Sequence, residues 1–338
     1  MIAATKPDHK KDNQISLQSL INLTKDDMER ANQLIVSMAK SNVEMIPEIS
    51  NHLISSGGKR LRPMITLAAA YMFGYQGDGH IQLATSVEFM HTATLLHDDV
   101  VDESNLRRGK PTARMIWGNQ ASVLVGDFLL GQAFKMMVNV GSMEALSVLA
   151  HAAAIIAEGE VMQLAAMKNL ETHVSDYLKI INAKTAALFS AAAEVGPIIS
   201  GYGCNERSAL REYGTSLGLA FQLIDDALDY SGNAQQLGKN IGDDFREGKI
   251  TMPVILSYTR GNTLEKTFWK QAFENGVNND EAFKHAQYLM EKYDSLTDTI
   301  ERARIYGKHA TDALAPMKDG LAKNALIETI DFCIARVN

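Results

Sequence analysis

Apolar positions recur at helical spacing along nearly the whole chain. From Leu17 to about Ser55 they fall at Leu34, Ile35, Met38, Val43, Met45, Ile46, Ile49 and Leu53, which predicts helix. Gly57-Gly58 ends that run, and Pro63 sits where proline can open a helix at its first turn, ahead of an apolar run from Met64 to Phe73. A glycine-rich turn over residues 74–79 follows, and Ile81 to Asp102 then reads as one long helix. Periodicity returns over Ala121–Val138, Met143–Lys168, Tyr177–Ser200 and Ser208–Tyr230, and a more charged helical pattern runs from Thr251 to the end. Runs such as Ala152-Ala153-Ala154 and Ala191-Ala192-Ala193 let helices approach closely. The expectation is an all-α protein: a polar, disordered tail over residues 1–16, then a single large helical bundle over residues 17–338.

Two of these helices end in the same acidic pattern. Asp98-Asp99-Val100-Val101-Asp102 follows Leu95-Leu96-His97, and Asp225-Asp226-Ala227-Leu228-Asp229 follows Phe221-Gln222-Leu223-Ile224. Residues four apart share a helix face, so Asp98 stacks on Asp102 and Asp225 on Asp229. Like charges at that spacing destabilise a bare helix, and carboxylates beside an apolar run carry a desolvation cost. Divalent cations answer both problems. Hard oxygen ligands in this arrangement suit Mg²⁺, which keeps several waters and shares substrate phosphates. The pattern is compatible with two helices facing each other across a central cavity and clamping a diphosphate. Other metal readings fit worse: neither cluster has EF-hand spacing, only Glu88-x-x-His91 matches a di-iron pair, and a phosphohydrolase built on His97-Asp98 wants further histidines.

Basic clusters accompany the acids. Lys59-Arg60-Leu61-Arg62 precedes Pro63, and Arg107-Arg108-Gly109-Lys110-Pro111 follows the first acidic cluster. A K-R-x-R run alone reads as a solvated loop; at a helix start it also reads as a phosphate site. The cations after Asp102 serve equally as surface ion pairs or as contacts to the same diphosphate. His91 lies two turns before Asp98 on about the same face. Glu160, Gln163, Lys184 and Thr185 are polar positions in mostly apolar surroundings, and for Gln163 and Thr185 core hydrogen bonding is the plain alternative.

Composition narrows the class. Hydrophobic residues make up 46% of 338, enough for a sizeable core, and only 7 prolines interrupt it. A net charge of −7 argues against general nucleic-acid binding. Cys204 and Cys333 are the only cysteines, which fits a reducing cytoplasm rather than a disulfide framework. The first thirteen residues lack the apolar core of a secretory signal. The most apolar stretch, Ala145–Ala157, is too short to span a bilayer, so no membrane span is expected.

These motifs resemble the isoprenyl diphosphate synthase family, specifically its all-trans polyprenyl diphosphate synthases and the bacterial long-chain, octaprenyl to decaprenyl, members. The resemblance rests on G-G-K-R-L-R-P at 57–63, L-L-H-D-D-V-V-D-E-S with R-R-G-K-P-T-A-R over 95–114, G-E-V-M-Q-L at 159–164, Lys184-Thr185, F-Q-L-I-D-D-A-L-D at 221–229 and G-D-D-F-R-E-G-K at 242–249. It covers the chain from about Leu17 onward.

The resemblance implies the isoprenoid synthase fold, normally a homodimer, and repeated addition of isopentenyl diphosphate to a farnesyl- or geranyl-type allylic diphosphate. The product would be the quinone side-chain precursor. It implies that Asp98, Asp102 and Asp225, supported by Asp99, Asp226 and Asp229, hold two or three Mg²⁺ ions. Arg107, Lys184, Thr185, Gln222, Lys239 and Lys249 would contact the allylic diphosphate, and Lys59, Arg62, His91 and Arg108 would hold isopentenyl diphosphate. Ala93 and Thr94 would leave the product tunnel open, with Met137 and Leu149 as its floor. A class I terpene cyclase or head-to-head synthase would need no isopentenyl diphosphate site. A non-catalytic subunit of a heteromeric synthase would be expected to lack one acidic cluster.

Overall fold

The helical periodicity resolves into packed helices around two buried rods, each of which ends in an acidic cluster. The computed structural model describes residues 16–55, 57–231 and 241–337, so all of the expected N-terminal tail except Ser16 lies outside the described residues. The run from Leu17 to Ser55 is two helices, α1 (Gln18–Met38) and α2 (Met45–Ser55). Between them the Ser41 hydroxyl accepts from Val43 N at 3.1 Å, a local bond that competes with the helical ladder. Next come α3 (Leu61–Met72) and α4 (Gly79–Val101).

A minimal antiparallel hairpin follows, β1 (Leu106–Arg107) with β2 (Lys110–Pro111), too short to show as alternation along the chain. Its two turn residues, Arg108 and Gly109, have φ of +53° and +75°, as a tight primed turn requires. Then come α5 (Ala113–Trp117), α6 (Asn119–Val140), α7 (Met143–Ala166) and α8 (Val174–Ile181). A π-helical turn over Asn182–Ala186 joins α8 to α9 (Ala187–Ile199), and α10 (Cys204–Ser231) is the second rod. The C-terminal part is α11 (Asp243–Glu247), α12 (Met252–Arg260), α13 (Thr263–Phe273), α14 (Asp280–Lys292), α15 (Ser295–Leu314), α16 (Leu321–Ile334) and a 3-10 turn over Ala335–Val337.

Helix α4 is apolar nearly all round and buried along most of its length, packed between α3 and α6. Such a helix belongs in the middle of a bundle. Helix α10 packs along α9 and α15. Gly218 lets α10 close on the turn that leads into α9: a Cβ there would lie 2.5 Å from the Ala186 Cα. The C-terminal region buttresses the bundle through α15, while its last turn carries Arg336 into the central cavity.

The apolar helices are longer than the sequence alone suggests. Among the described residues, α6 and α7 are each long and apolar enough to cross a membrane by length and composition. The stretch Ala145–Ala157 looked short only because Glu158 and Glu160 interrupt it, whereas α7 runs for 24 residues. Both helices leave large apolar side chains exposed: Leu124 and Val138 on α6; Met143, Val161 and Leu164 on α7.

Candidate functional site

Both acidic clusters lie at helix C-termini, the negative end of the helix dipole, where carboxylates are disfavoured. Asp98 and Asp99 lie in the last turn of α4, and Asp102 is its C-cap. Asp225, Asp226 and Asp229 lie in the last two turns of α10. The two helix ends share one cavity of about 570 Å³, lined by Asp98 and Asp102 from one side and Asp225, Asp226 and Asp229 from the other. Asp99 is 1% exposed and sits behind this wall.

Internal cations and donors take up this charge. Lys184 Nζ lies 3.7 Å from Asp98 Oδ2 and 2.7 Å from Glu160 Oε2. Arg107 holds Asp99 Oδ1 through Nε at 2.9 Å and Nη2 at 2.7 Å. Lys249 Nζ lies 2.9 Å from Asp102 Oδ2 and 2.7 Å from Glu247 Oε2. Arg336 Nη2 approaches Asp225 Oδ1 at 2.6 Å, yet that oxygen is buried without a directional hydrogen bond, and so is Arg336 Nη1. Asp229 Oδ2 accepts from the Asp244 backbone N at 3.1 Å. Burial would raise the Asp102 carboxyl, but Lys249 and Lys184 bring it below the usual aspartate value. Burial likewise works against the Lys249 ammonium, and Asp244, Asp102 and Glu247 raise it. Burial and then Asp98 push Glu160 up to about 6 against the pull of Lys184.

Lys184 and Thr185 stand on the π turn, a feature frequent at functional sites. Gly159 on α7 lets that turn come close, since a Cβ there would meet Lys184 N at 2.7 Å and Ala183 Cβ at 2.9 Å. Thr185 donates to Gln222 Oε1 at 2.7 Å, so this pair is hydrogen-bonded and also on the cavity wall. Lys239, expected at the same subsite, lies outside the described residues.

A second wall of the cavity is cationic. It holds Lys59, Arg62, His91 and Arg108. Lys59 Nζ sits 4.6 Å over the Phe332 ring and the Arg62 guanidinium 4.2 Å over Phe189. Arg62 Nε is buried without a partner, and burial lowers the guanidinium to about 10. Burial, then Arg62 and Arg108, hold His91 well below its ordinary value, so it is a neutral donor at physiological pH. Glu88 was missed as a participant: its Oε1 accepts from Arg60 Nη1 at 2.5 Å and it is the buried counter-charge of this wall. Its signal was visible, one turn before His91 on α4. Arg336 had no local signal at all.

Of the expected tunnel residues, Thr94 lines the open cavity. Ala93, Met137 and Leu149 do not; they come together in one apolar cluster formed by α4, α6, α7 and α9.

Whether the residues fit magnesium turns on donor number. Among the described residues no three acidic or histidine side chains converge into a preformed metal site. The cavity instead offers separated carboxylates, among them Asp225, whose Oδ1 pairs with Arg336 without accepting a directional hydrogen bond. That set fits an ion which takes one or two protein carboxylates and completes its shell with water and phosphate oxygens.

Acidic helix ends on one side of a cavity and a separate cationic wall on another make room for two anionic reactants at once, the arrangement of a prenyl-transferring enzyme. The chain belongs to the polyprenyl synthetase family, whose model matches residues 43–290. An octaprenyl diphosphate synthase from Escherichia coli (strain K12) is 42% identical over 322 residues, covering 95% of this chain and 99% of that protein. A polyprenyl synthase from Caulobacter crescentus CB15, complexed with calcium and isoprenyl diphosphate, is 48% identical with TM-score 0.93 over 96% of this chain and 98% of that one. A decaprenyl diphosphate synthase from Rhodobacter capsulatus is 48% identical with TM-score 0.91 over 96% and 100% of the two chains. The all-α fold is theirs, and the chain is a long-chain trans-prenyltransferase.

Proposed function

We propose that the enzyme adds isopentenyl diphosphate repeatedly to a farnesyl- or geranyl-type allylic diphosphate, making an all-trans octaprenyl to decaprenyl diphosphate that serves as a quinone side-chain precursor. The supporting observation is that both acidic helix ends and the cationic wall line the same cavity. Asp98, Asp102 and Asp225, supported by Asp99, Asp226 and Asp229, are the groups to hold two or three Mg²⁺ ions. Bound there, the metal supplies positive charge to a departing diphosphate.

Arg107, Lys184, Thr185, Gln222 and Lys249 surround the place for the allylic diphosphate and stabilise the charge left on it when its carbon–oxygen bond breaks. Lys59, Arg62, Arg108 and neutral His91 hold the second diphosphate without metal, so its alkene faces the allylic carbon in a fixed orientation. The new carbon–carbon bond forms, and the proton lost from the added unit passes to the released diphosphate. The cationic wall favours this reading over a terpene cyclase.

The exposed apolar faces of α6 and α7 support a homodimer that covers them with a second copy. Two free thiols fit a cytoplasmic enzyme. Incubation with farnesyl diphosphate, labelled isopentenyl diphosphate and Mg²⁺, followed by chromatography, tests the activity. Long-chain product supports it; hydrocarbon product would identify a cyclase, and no turnover a non-catalytic subunit.

A further inference from the structure

The second aspartate of the downstream cluster is engaged differently from its neighbours. Both oxygens of Asp226 are taken by uncharged donors: the Tyr177 hydroxyl donates to Oδ2 at 2.5 Å, and Gln222 Nε2 donates to Oδ1 at 2.8 Å. Gln222 Oε1 then accepts from the Thr185 hydroxyl. Tyr177 and Thr185, two turns apart across the junction of α8 and the π turn, therefore both reach α10 at one linked pair, Tyr177 through the Asp226 carboxylate and Thr185 through the Gln222 amide. Tyr177 is 3% exposed and lines the cavity, as Asp226 does.

The upstream cluster has the same division of labour. Asp98 and Asp102 face the cavity, while Asp99 is withdrawn and fixes Arg107. In each pair of adjacent aspartates the first is open to the cavity, and the second anchors a side chain that faces it: Arg107 upstream, Gln222 downstream. The downstream anchor needs one more member. A carboxylate held only by Gln222, four residues back on its own helix, leaves Oδ2 free to rotate. The Tyr177 hydroxyl, arriving from another element, fixes that rotation.

We propose that Tyr177 is a positioning residue of the allylic subsite: it locks Asp226, which orients Gln222 and through it Thr185. This rests on the assignment of Gln222 and Thr185 to the allylic diphosphate. Removing the hydroxyl leaves the ring packed and one buried carboxylate oxygen unbonded, and the Gln222 amide loses its fixed direction.

The test is steady-state kinetics of the full-length Tyr177→Phe enzyme, with KM determined separately for farnesyl diphosphate and isopentenyl diphosphate. The expected result is a rise on the order of tenfold in KM for farnesyl diphosphate, the scale of one unmade buried hydrogen bond, with KM for isopentenyl diphosphate unchanged. A double substitution, Tyr177→Phe with Gln222→Leu, should cost no more than Gln222→Leu alone, because both act through one chain of bonds. Equal effects on the two substrates, or additive losses, would overturn the proposal in favour of a purely structural tyrosine. If Tyr177→Phe is unstable at the assay temperature, the same pair of KM values is determined at a lower temperature at which circular dichroism shows it folded, with the same two outcomes. Absence of chain growth in the unsubstituted enzyme would remove the functional reading and this proposal together. Normal growth with an unselective Tyr177→Phe would remove only the proposal.

Discussion

The Lys249 ammonium lies 2.9 Å from Asp102 Oδ2, across 147 positions of sequence. It ties the segment after the downstream acidic cluster to the end of the upstream one, and so sets how the two clusters face each other. Both partners are largely buried, at 17% and 13% side-chain exposure. Breaking a buried pair by deleting one partner costs about 3–5 kcal/mol, because the other charge is left uncompensated. Lys249→Met should therefore lower stability by about 3 kcal/mol at neutral pH. The sign with pH follows from the two groups. The Asp102 carboxyl is held below its ordinary 3.8, so its contribution is present above that pH and lost as pH falls through the depressed value. The Lys249 ammonium is raised, so its contribution persists until well above 10.5. Denaturant unfolding of enzyme and variant from pH 3 upward should show the gap closing only at the acid end. A gap independent of pH would mean the lysine acts through packing.

Metal removal should stop chain growth without unfolding the protein. The cluster carboxylates have internal partners in Lys184, Arg107, Lys249, Arg336, Tyr177 and the Asp244 backbone, and among the described residues no three ligands converge on one point. Folding therefore does not wait on an ion, unlike a structural zinc site. With EDTA, Tm is expected to stay within about 2 °C while activity disappears. Titration with Mg²⁺ alone should give weak binding, and Mg²⁺ with inorganic diphosphate should raise Tm through linkage. Loss of helical signal on chelation would show that the counter-charging is insufficient.

How far the sequence foretold this site depends on the range of each signal. The aspartate helices were legible because apolar runs and four-residue spacing are local patterns. The Leu106–Pro111 hairpin was not, since two residue pairs leave no alternation to detect. The π turn was hidden because Tyr177 to Ala187 reads as one uninterrupted amphipathic helix. Tyr177, Glu88 and Arg336 act through partners 49, 28 and 111 positions away, and no periodicity encodes such pairings. The break after Met38 was missed because its apolar positions continue in phase through Val43 and Met45.

The two cysteines should differ sharply in reactivity. Cys204 is exposed, whereas Cys333 is buried and its thiol is pushed up to about 12 by burial. Only the thiolate reacts, so Cys333 is inert near neutral pH. Iodoacetamide at pH 8 should add one label to the native enzyme and two after denaturation, counted by mass spectrometry. Two labels on the native protein would mean that α16, and with it the Phe332 platform under Lys59, opens readily.

Product length tests where the growing chain goes. Thr94 lines the open cavity, while Ala93, one residue earlier on α4, is 2% exposed inside the cluster that also holds Met137 and Leu149. A chain extending past Thr94 into that cluster meets Ala93 first, and each helical turn of about 5.4 Å accommodates about one isoprene unit. Ala93→Phe should therefore shorten the product to about farnesyl length when a geranyl starter is supplied. Overpacking adds a stability cost of about 1–3 kcal/mol, so product spectra should be compared at a temperature where the variant is folded. Leu149→Ala works in the opposite sense, removing floor and lengthening the product, with a loss of about 2–5 kcal/mol for the cavity left behind. Chromatography of the chain lengths decides: an unchanged spectrum in both variants would place the growing chain elsewhere in the bundle.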